Sequence, residues 1–267
     1  RKLLTFHRLD IFMGLVALTA YLASRLANLT IIPIFTDEAI YLRWSQIMAY
    51  DPSLRYLPLV DGKPPLFMWL TSAFIKIFPQ IDILTAGRLI AVGSGLFGLV
   101  GVYFTSYRLF KNKTISWLAS CLYIVVPLTL FYDRLGLADS LLAAVAVWSL
   151  GLTVWLVQSL RLDVAFILGT VIGFGLLTKS PALFLLIYLP LSLIFFNFSK
   201  LGLIKRVATL IFLFLVVVII SEGIFSVLRL FPLFNMIGQK NFEFSLTIKL
   251  FLSNPLMLVA SNLVTLV

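Results

Sequence analysis

The sequence has very few of the residues from which most redox and zinc sites are built. One cysteine, Cys121, and one histidine, His7, occur among the 267 residues. A single cysteine cannot form a disulfide within the chain, nor can it supply a zinc site built from cysteines. His7 stands among basic residues before the first apolar run, and we predict no functional role for it. These two residue types therefore predict no metal site.

Charged residues are also scarce. They make up 12% of the chain and hydrophobic residues 61%, whereas a soluble domain carries roughly a quarter charged residues. The apolar residues form long uncharged runs, such as 92–104, 141–156 and 210–220. A helix that crosses a bilayer needs about 20 apolar residues, and barrel strands would instead alternate between polar and apolar residues. The composition therefore predicts an all-α, polytopic transmembrane helical bundle.

The apolar runs predict where helices cross the membrane. We place spans at residues 10–30, 88–107, 115–131, 140–159, 163–178, 181–197, 207–222 and 250–267. Residues 33–87 should form the first outer loop, with juxtamembrane helices, because their apolar piece 66–78 is too short for a comfortable crossing. Residues 223–249 are predicted to lie at the interface. We expect residues 1–267 to be one transmembrane domain that is incomplete at its C-terminus.

The positive charge of the chain indicates its orientation. A net charge of +10 could suit a nucleic-acid-binding protein, but cytoplasmic loops of membrane proteins are also rich in lysine and arginine. With a cytoplasmic N-terminus and residues 66–78 not crossing, the cytoplasmic side carries ten basic residues against two acidic ones, and the outer side carries eleven basic against nine acidic. All acidic residues except Asp10 and Asp163 then face the outer side. We therefore predict no nucleic-acid partner.

An acidic pair follows the first predicted span directly, as Asp37-Glu38 in the sequence Thr36-Asp37-Glu38-Ala39. In one interpretation, Thr36 or Asp37 caps a helix whose first turn favours acidic residues. In the other, the carboxylates take part in a reaction. The amphipathic pattern of residues 39–48 predicts a surface helix that holds this corner at the membrane edge.

Two basic residues come next. Lys63 precedes two prolines, which favours an extended backbone; it is either solvated in a turn or presented at the lipid–water boundary, where a phosphate would bind. Arg88 opens the second predicted span and either binds in the same way or marks the interface.

Two further charged motifs interrupt apolar sequence. In residues 133–139, Asp139 could cap the following helix, but a cap does not explain Arg134. In residues 177–181, Lys179 either snorkels from a tight hairpin or lies in a broken pair of helices that lines a cavity. Ionisable residues at membrane depth are costly, which makes all of them functional candidates.

In order, spacing and predicted topology, these motifs resemble the inverting C-fold glycosyltransferases that use polyprenyl-phosphate sugars. The most similar branch contains the bacterial aminoarabinose transferases of lipid A and the protein O-mannosyltransferases. The resemblance is carried by Asp37-Glu38, Lys63-Pro64-Pro65, Arg88, Asp139 and Leu177-Thr178-Lys179-Ser180. Ser180 stands where the family usually has glycine. The resemblance covers about residues 3–199, and the family's C-terminal half has no counterpart here.

The resemblance implies an enzyme that transfers a sugar, with inversion, from a polyprenyl-phosphate donor to a lipid, glycan or protein acceptor. It implies an active site on the outer face of a bacterial plasma membrane. It assigns catalysis to Asp37, Glu38 and Asp139, with Asp37 as the base, and the carrier phosphate to Lys63, Arg88, Arg134 and Lys179. Membrane lipids are the other expected partners. No cofactor is implied, although the three carboxylates could hold a divalent cation.

Two other classes of protein fit parts of the pattern. A transporter or flippase of a lipid-linked saccharide would also be helical with charges in a cavity, but its site should lie near the midplane. A non-catalytic membrane subunit would not require the set of Asp37, Lys63 and Asp139. The position of these charges along the bundle therefore discriminates between the classes.

Overall fold

The structure is a computed structural model that describes residues 8–196 and 202–230. The described residues contain α-helices and short 3₁₀ helices and no strand, which confirms the all-α class. The α-helices are α1 Arg8–Leu26, α2 Thr36–Tyr50, α3 Leu66–Ile77, α4 Ile83–Phe110, α5 Lys113–Val125, α6 Pro127–Tyr132, α7 Asp139–Ser159, α8 Leu162–Thr178, α9 Tyr188–Leu191 and α10 Leu203–Phe225. His7, the predicted span 250–267 and most of the predicted interfacial segment 223–249 lie outside the described residues.

Four helical stretches in the described residues are long and apolar enough to cross a membrane: Arg8–Leu26, Ile83–Phe110, Asp139–Ser159 and Leu203–Leu228. They correspond to four of the predicted spans. About half of the Ile83–Phe110 and Asp139–Ser159 stretches is buried inside the protein, whereas the other two are mostly exposed. Helices α4 and α7 therefore form the centre of the bundle, and α1 and α10 present wide apolar faces to lipid.

Glycines bring the spanning helices close together. A Cβ on Gly101 of α4 would lie 2.8 Å from Nε1 of Trp148 in α7, and a Cβ on Gly169 of α8 would lie 2.8 Å from Cβ of Ile220 in α10. Helices in membranes associate through close packing of small residues, because lipid tails are as apolar as the side chains and the hydrophobic effect therefore does not drive association. These contacts join α4 to α7 and α8 to α10.

The prediction that the third span, 115–131, is one continuous helix is wrong. Helix α5 ends at Val125, Val126 is extended with φ −61° and ψ 125°, and α6 begins at Pro127. The break has a simple cause, since proline lacks the N–H that would continue the helix. Its ring also disfavours helical geometry at the residue before it.

The sixth predicted span, 181–197, is not the continuous α-helix that we expected. It consists of the 3₁₀ helix Ser180–Ile187, the single turn α9 and the 3₁₀ helix Ser192–Phe195. Pro190 cannot donate to the carbonyl four residues earlier, which weakens α-helical pairing in the middle of this stretch. The interruption of the helix that we predicted at residues 177–181 is present, because α8 ends at Thr178 and Lys179 is extended.

Polar contacts show which helix ends lie together. At one end of the bundle, Lys113 Nζ lies 2.6 Å from the Asp10 carboxylate, and Lys111 Nζ lies 3.3 Å from the Gln158 side-chain oxygen. These contacts join the start of α1, the end of α4, the start of α5 and the end of α7. The end of α1, the start of α4, the start of α7 and the end of α8 therefore lie at the opposite end.

Helix α3 has 12 residues and is about 18 Å long, well short of the hydrocarbon thickness of about 30 Å. We therefore expect it to lie at the outer interface without crossing. In a Cys121→Ser background, Lys63→Cys and Gln80→Cys should both react from outside with a thiol reagent that cannot cross membranes. Lys111→Cys should react only after the membrane is opened. Labelling of Lys63→Cys and Gln80→Cys from opposite sides would overturn this topology.

Candidate active site

A cavity of about 240 Å³ opens at the end of the bundle where α1 ends and α4 begins. Its walls come from the first turn of α2, the turn before α3, the start of α7 and the end of α8. The lining residues are Asp37, Tyr41, Gly62, Lys63, Pro64, Met68, Ala138, Thr178, Lys179, Ser180 and Pro181. Segments far apart in the sequence therefore place a carboxylate, two lysines and a phenol around one space.

The Asp37 side chain faces the cavity, because the hydrogen bond that completes the first turn of α2 is made by the neighbouring residue, Glu38. Phe35 occupies the cap position without a side-chain cap, and its amide donates to the Glu38 carboxylate at 3.2 Å. The interpretation that Thr36 or Asp37 caps the helix is therefore wrong. The Asp37 side chain is 52% exposed and lies 3.4 Å from Lys63 Nζ.

Lys63 is enclosed by groups that favour its positive charge. Its ammonium lies 3.4 Å from both the Asp37 and the Asp61 carboxylates. It also lies 5.0 Å from the ring centroid of Tyr41 and 5.7 Å from that of Trp44, within the range of cation–π attraction. Lys63 is thus presented at the cavity by four neighbours instead of being free in solvent.

Tyr41 is a cavity residue that the sequence analysis did not single out. It lies four residues after Asp37 on α2, a spacing that places two side chains on the same helix face and could have revealed it. Burial raises the pKa of the Tyr41 hydroxyl to about 12, and the charges of Asp37, Asp139 and Asp61 act in the same direction. The phenol therefore stays protonated at neutral pH and can donate a hydrogen bond.

Asp139 and Lys179 join α7 to the end of α8. Lys179 Nζ lies 2.8 Å from the Asp139 carboxylate, and the two side chains are 37% and 34% exposed. Asp139 is the first residue of α7 and follows Ala138, which occupies the cap position. The interpretation of Asp139 as a cap is therefore wrong, and its carboxylate orients Lys179 at the cavity wall instead.

Glu38 and Arg88 form a completely buried ion pair. Arg88 Nε donates to Glu38 Oε1 at 2.8 Å, and Nη2 donates to Oε2 at 2.9 Å. Arg88 also donates from Nη1 to the carbonyl of Leu29 at 2.8 Å and from Nη2 to the carbonyl of Ile32 at 2.9 Å. The amide of Gly136 donates to Glu38 Oε1 at 2.7 Å. The pair therefore connects α4, the segment before α2 and the segment before α7.

These contacts place Glu38 and Arg88 behind the cavity instead of in its wall. Burial alone would raise the pKa of Glu38, but the hydrogen bonds from Arg88, Gly136 and Phe35 and the charge of Arg88 together lower it. The carboxylate is ionised and its oxygens are occupied. Our expectation that Arg88 opens the second span is also wrong, because α4 begins five residues earlier in the chain.

Arg134 is directed away from the cavity as well. Its Nη2 donates to the carbonyls of Ala27 and Asn28 at 2.8 Å each, the last carbonyls around the end of α1. Its Nε is buried with no hydrogen-bond partner in the described part of the chain. Of the predicted site residues, the structure thus brings Asp37, Lys63, Asp139 and Lys179 together, and it places Glu38, Arg88 and Arg134 in supporting contacts.

The carboxylates are not arranged as a shared set of metal ligands. Asp37, Glu38 and Asp139 each contact a different basic side chain. Within residues 8–196 and 202–230, no group of three or more histidine, cysteine, aspartate or glutamate residues is placed to hold a metal ion.

An apolar groove of about 510 Å³ adjoins the cavity. It is lined by Leu66, Leu70, Phe97, Leu141, Val145, Phe166, Ile167, Thr170, Val171 and Phe174. Leu66 follows the cavity residue Pro64 closely in the chain, and Leu141 lies about one turn after the cavity residue Ala138. The groove therefore lies close to the polar cavity and is bounded by apolar residues of α3, α4, α7 and α8.

Comparison with known proteins finds a matching family and a similar fold among solved structures. The sequence profile of the dolichyl-phosphate-mannose-protein mannosyltransferase family matches residues 62–224. Among solved structures, the crystal structure of ArnT from Cupriavidus metallidurans in the apo state is similar, with a TM-score of 0.55 and 20% sequence identity. The match covers 81% of this chain and 41% of that chain, and at this identity it shows the shared fold.

No curated protein matches the chain in sequence. The matched range 62–224 spans Lys63, Arg88, Asp139 and Lys179 and does not reach Asp37 and Glu38. The chain is an integral membrane protein, as the family match and the four long apolar helical stretches in its described residues indicate. Because the profile covers more than half of the 267 residues, the chain belongs to the dolichyl-phosphate-mannose-protein mannosyltransferase family.

Proposed function

We propose that the chain is the membrane domain of a glycosyltransferase that takes its sugar from a polyprenyl-phosphate donor. The observation that carries this proposal is the cavity, which combines an exposed carboxylate, two lysines and an adjoining apolar groove at one end of the bundle. A polyprenyl-phosphate sugar has the complementary parts: a sugar, an anionic phosphate and a long apolar tail.

The donor phosphate binds between Lys63 and Lys179. Both ammonium groups lie at the cavity wall and are presented by carboxylates. Charge-assisted hydrogen bonds to phosphate are stronger than neutral ones, and they strengthen further as charge develops on the leaving phosphate. The polyprenyl tail lies in the groove beside α3, where it stays out of water.

Asp37 acts as the general base. The acceptor oxygen attacks the anomeric carbon of the sugar from the face opposite the phosphate, and its proton passes to the Asp37 carboxylate. The bond between the anomeric carbon and the phosphate oxygen breaks with its electron pair on the leaving polyprenyl phosphate. The configuration at the anomeric carbon is therefore inverted. Asp37 suits this role because it lines the cavity and half of its side chain is exposed.

The other charged residues hold this arrangement in place. Glu38 and Arg88 fix α2 against α4 and the segment before α7, Arg134 fixes that segment to the end of α1, and Asp139 orients Lys179. Residues 1–267 form one transmembrane domain in this proposal. Residues 33–87 form its first outer loop, which carries Asp37 and Lys63.

The positive-inside pattern supports our assignment of this cavity to the outer face of the membrane, which we take to be a bacterial plasma membrane. The acceptor is a lipid, glycan or protein on that side. A transporter would need its site near the midplane, within reach of both faces. The cavity instead involves the ends of helices, and this position favours transfer at the surface over translocation.

The proposal is tested by incubating the intact protein in membranes with a panel of polyprenyl-phosphate sugars and analysing acceptors by mass spectrometry. We expect a product heavier by one sugar residue with at least one donor of this class. Transfer from nucleotide sugars, without transfer from any polyprenyl-phosphate sugar, would contradict the proposed donor class.

Replacing Lys179 by alanine should weaken donor binding as well as turnover, because its charge helps in both the ground state and the transition state. A hydrogen bond to a charged group contributes about 1.5–3 kcal/mol, so we expect the KM for the donor to rise roughly 10- to 100-fold. Steady-state kinetics of Lys179→Ala, Lys179→Arg and the wild type provide the measurement. Lys76→Ala, at an exposed lysine of α3, is the matched control and should leave KM unchanged. An unchanged KM in Lys179→Ala would remove Lys179 from the phosphate site.

A further inference from the structure

Arg25, in the last turn of α1, is completely buried although it lies outside the cavity. Its Nη1 donates to the carbonyl of Ile124 at 2.6 Å. Its Nη2 reaches the carbonyl of Tyr123 and the hydroxyl of Thr129, each at 3.3 Å. One guanidinium thus contacts both sides of the break between α5 and α6.

The break explains why these carbonyls need a partner. In a continuous helix, the carbonyl of Tyr123 would accept from the backbone N–H of residue 127, but Pro127 has none. Val126 is extended, so the carbonyl of Ile124 also lacks its usual partner in the next turn. A buried carbonyl without a hydrogen bond is costly. The Thr129 hydroxyl donates to the carbonyl of Tyr123 at 2.6 Å. Arg25 supplies the donor for the carbonyl of Ile124 and a second, longer contact to that of Tyr123, and thereby stabilises the break in this geometry.

The same guanidinium faces Asp133, in the segment that follows α6. Arg25 Nε lies 3.6 Å from Asp133 Oδ2, and the Tyr21 hydroxyl donates to the same oxygen at 3.1 Å. Both partners of the ion pair are buried. Gly95 of α4 makes room for this cluster, because a Cβ there would collide with the Tyr21 hydroxyl and the Asp133 carboxylate.

Asp133 begins the segment that forms one wall of the cavity. Within it, the amide of Gly136 donates to Glu38 at 2.7 Å, and Ala138 lines the cavity. The segment leads directly into Asp139, which holds Lys179 at 2.8 Å. A displacement of Asp133 would therefore reach Lys179 through only six residues of chain.

We propose that Arg25 is a positioning residue, which fixes the segment 133–138 by joining the α5–α6 break to Asp133 and so places Asp139 and Lys179 at the cavity. The kinetic test of this proposal, a change in KM, rests on the proposed function. The structural test, hydrogen–deuterium exchange, does not depend on activity. The competing explanation is that Arg25 only balances the buried charge of Asp133. The two explanations differ in whether the forked shape of the guanidinium is required, since a lysine ammonium keeps the charge and loses the fork.

The test is Arg25→Lys in the intact protein, with kinetics and hydrogen–deuterium exchange measured on the same preparation. A misplacement of about 1 Å can lower a rate on the order of 100-fold, so we expect kcat/KM to fall by roughly 10- to 100-fold. A loss of folded protein would lower the apparent kcat alone, whereas displacement of Lys179 should also raise the KM for the donor. Exchange should increase in peptides covering residues 133–138 and remain unchanged in α8 and α10.

Two more variants keep the test decisive. Arg25→Gln/Asp133→Asn removes both charges together, so it should fold if Arg25→Lys does not, and we expect the same local exchange and the same rise in KM. Arg108→Lys is the matched control. It alters an arginine that stacks on Trp155 at the opposite end of the bundle and should leave KM and the exchange of residues 133–138 unchanged.

Wild-type KM and wild-type exchange in Arg25→Lys would overturn the proposal and leave Arg25 as a counter-charge. Increased exchange throughout the chain in both Arg25 variants would also overturn it, because Arg25 would then serve the whole fold. If the wild-type protein transfers no sugar, the proposed function fails, while the local exchange result still decides whether Arg25 positions the segment.

Discussion

Replacement of Asp37 by asparagine should lower turnover by roughly 10²–10⁴-fold, the usual contribution of a positioned general base. The change keeps the shape of the side chain and removes its ability to take the acceptor's proton. Donor binding should stay nearly intact, because Lys63 retains Asp61, Tyr41 and Trp44 as neighbours. The measurement is single-turnover transfer from bound donor, together with the donor's dissociation constant.

The matched control for Asp37→Asn is Asp51→Asn, which alters an exposed carboxylate just after the other end of α2. It should leave turnover close to that of the wild type. If Asp37→Asn instead retains near wild-type turnover, Asp37 is only a counter-charge for Lys63. Asp139 then becomes the next candidate base, because Glu38 is enclosed by hydrogen-bond donors.

Replacement of Arg88 by leucine should lower the free energy of unfolding by about 3–5 kcal/mol, the cost of leaving one partner of a buried ion pair alone. Glu38 would remain buried and lose two hydrogen bonds, and the carbonyls of Leu29 and Ile32 would lose theirs. The measurement is unfolding of the purified protein in mixed micelles at neutral pH. The lowered pKa of Glu38 means that its contribution is fully present at neutral pH and is lost only as pH falls through that lowered pKa.

The control for Arg88→Leu is Arg43→Leu, at an exposed arginine of α2. A surface substitution of this kind usually changes stability by no more than about 0.5 kcal/mol. Glu38→Met/Arg88→Met should be more stable than Arg88→Leu, because it leaves no buried charge unpaired. An Arg88→Leu protein as stable as the wild type would contradict the supporting role that we assign to the pair.

Several features of the site could be predicted from the sequence, because they depend on local chemistry and on the number of membrane crossings between two residues. The uncharged run 141–156 predicts α7, and the topology that best separates charge places Asp37, Lys63 and Asp139 at the same end. The interruption at Lys179 needs only a polar, proline-containing stretch between apolar runs. These features can be recognised in the sequence without knowing how the helices pack.

Other features depend on three-dimensional packing. Adjacent residues on a helix point about 100° apart, so one member of the Asp37-Glu38 pair faces the cavity and the other is buried, but the sequence does not say which. The break at Pro127 is visible only in hindsight, because transmembrane helices tolerate proline when other groups satisfy the freed carbonyls. Here the partner is Arg25, about 100 residues away in the chain, and no local pattern connects the two.

The supporting contacts also explain why predicted site residues fall into two groups. Arg88 and Arg134 are cations close to the proposed phosphate site, so composition alone groups them with Lys63 and Lys179. The structure separates them by their surroundings. Both arginines donate to backbone carbonyls away from the cavity, and Arg88 also pairs with the buried Glu38, whereas the two lysines lie at the cavity wall. The fork of a guanidinium suits several fixed acceptors, whereas an ammonium is a compact point charge.

The central claim, transfer of a sugar with release of the lipid carrier, is tested most directly by stoichiometry. The intact protein is reconstituted in liposomes with a polyprenyl-phosphate sugar and an acceptor, and glycosylated acceptor and free polyprenyl phosphate are quantified together by mass spectrometry. The account predicts that the two products appear in equal amounts and that Asp37→Asn slows both by the same factor. Movement of unchanged donor between the leaflets, with no free polyprenyl phosphate formed, would contradict it and identify a transporter instead.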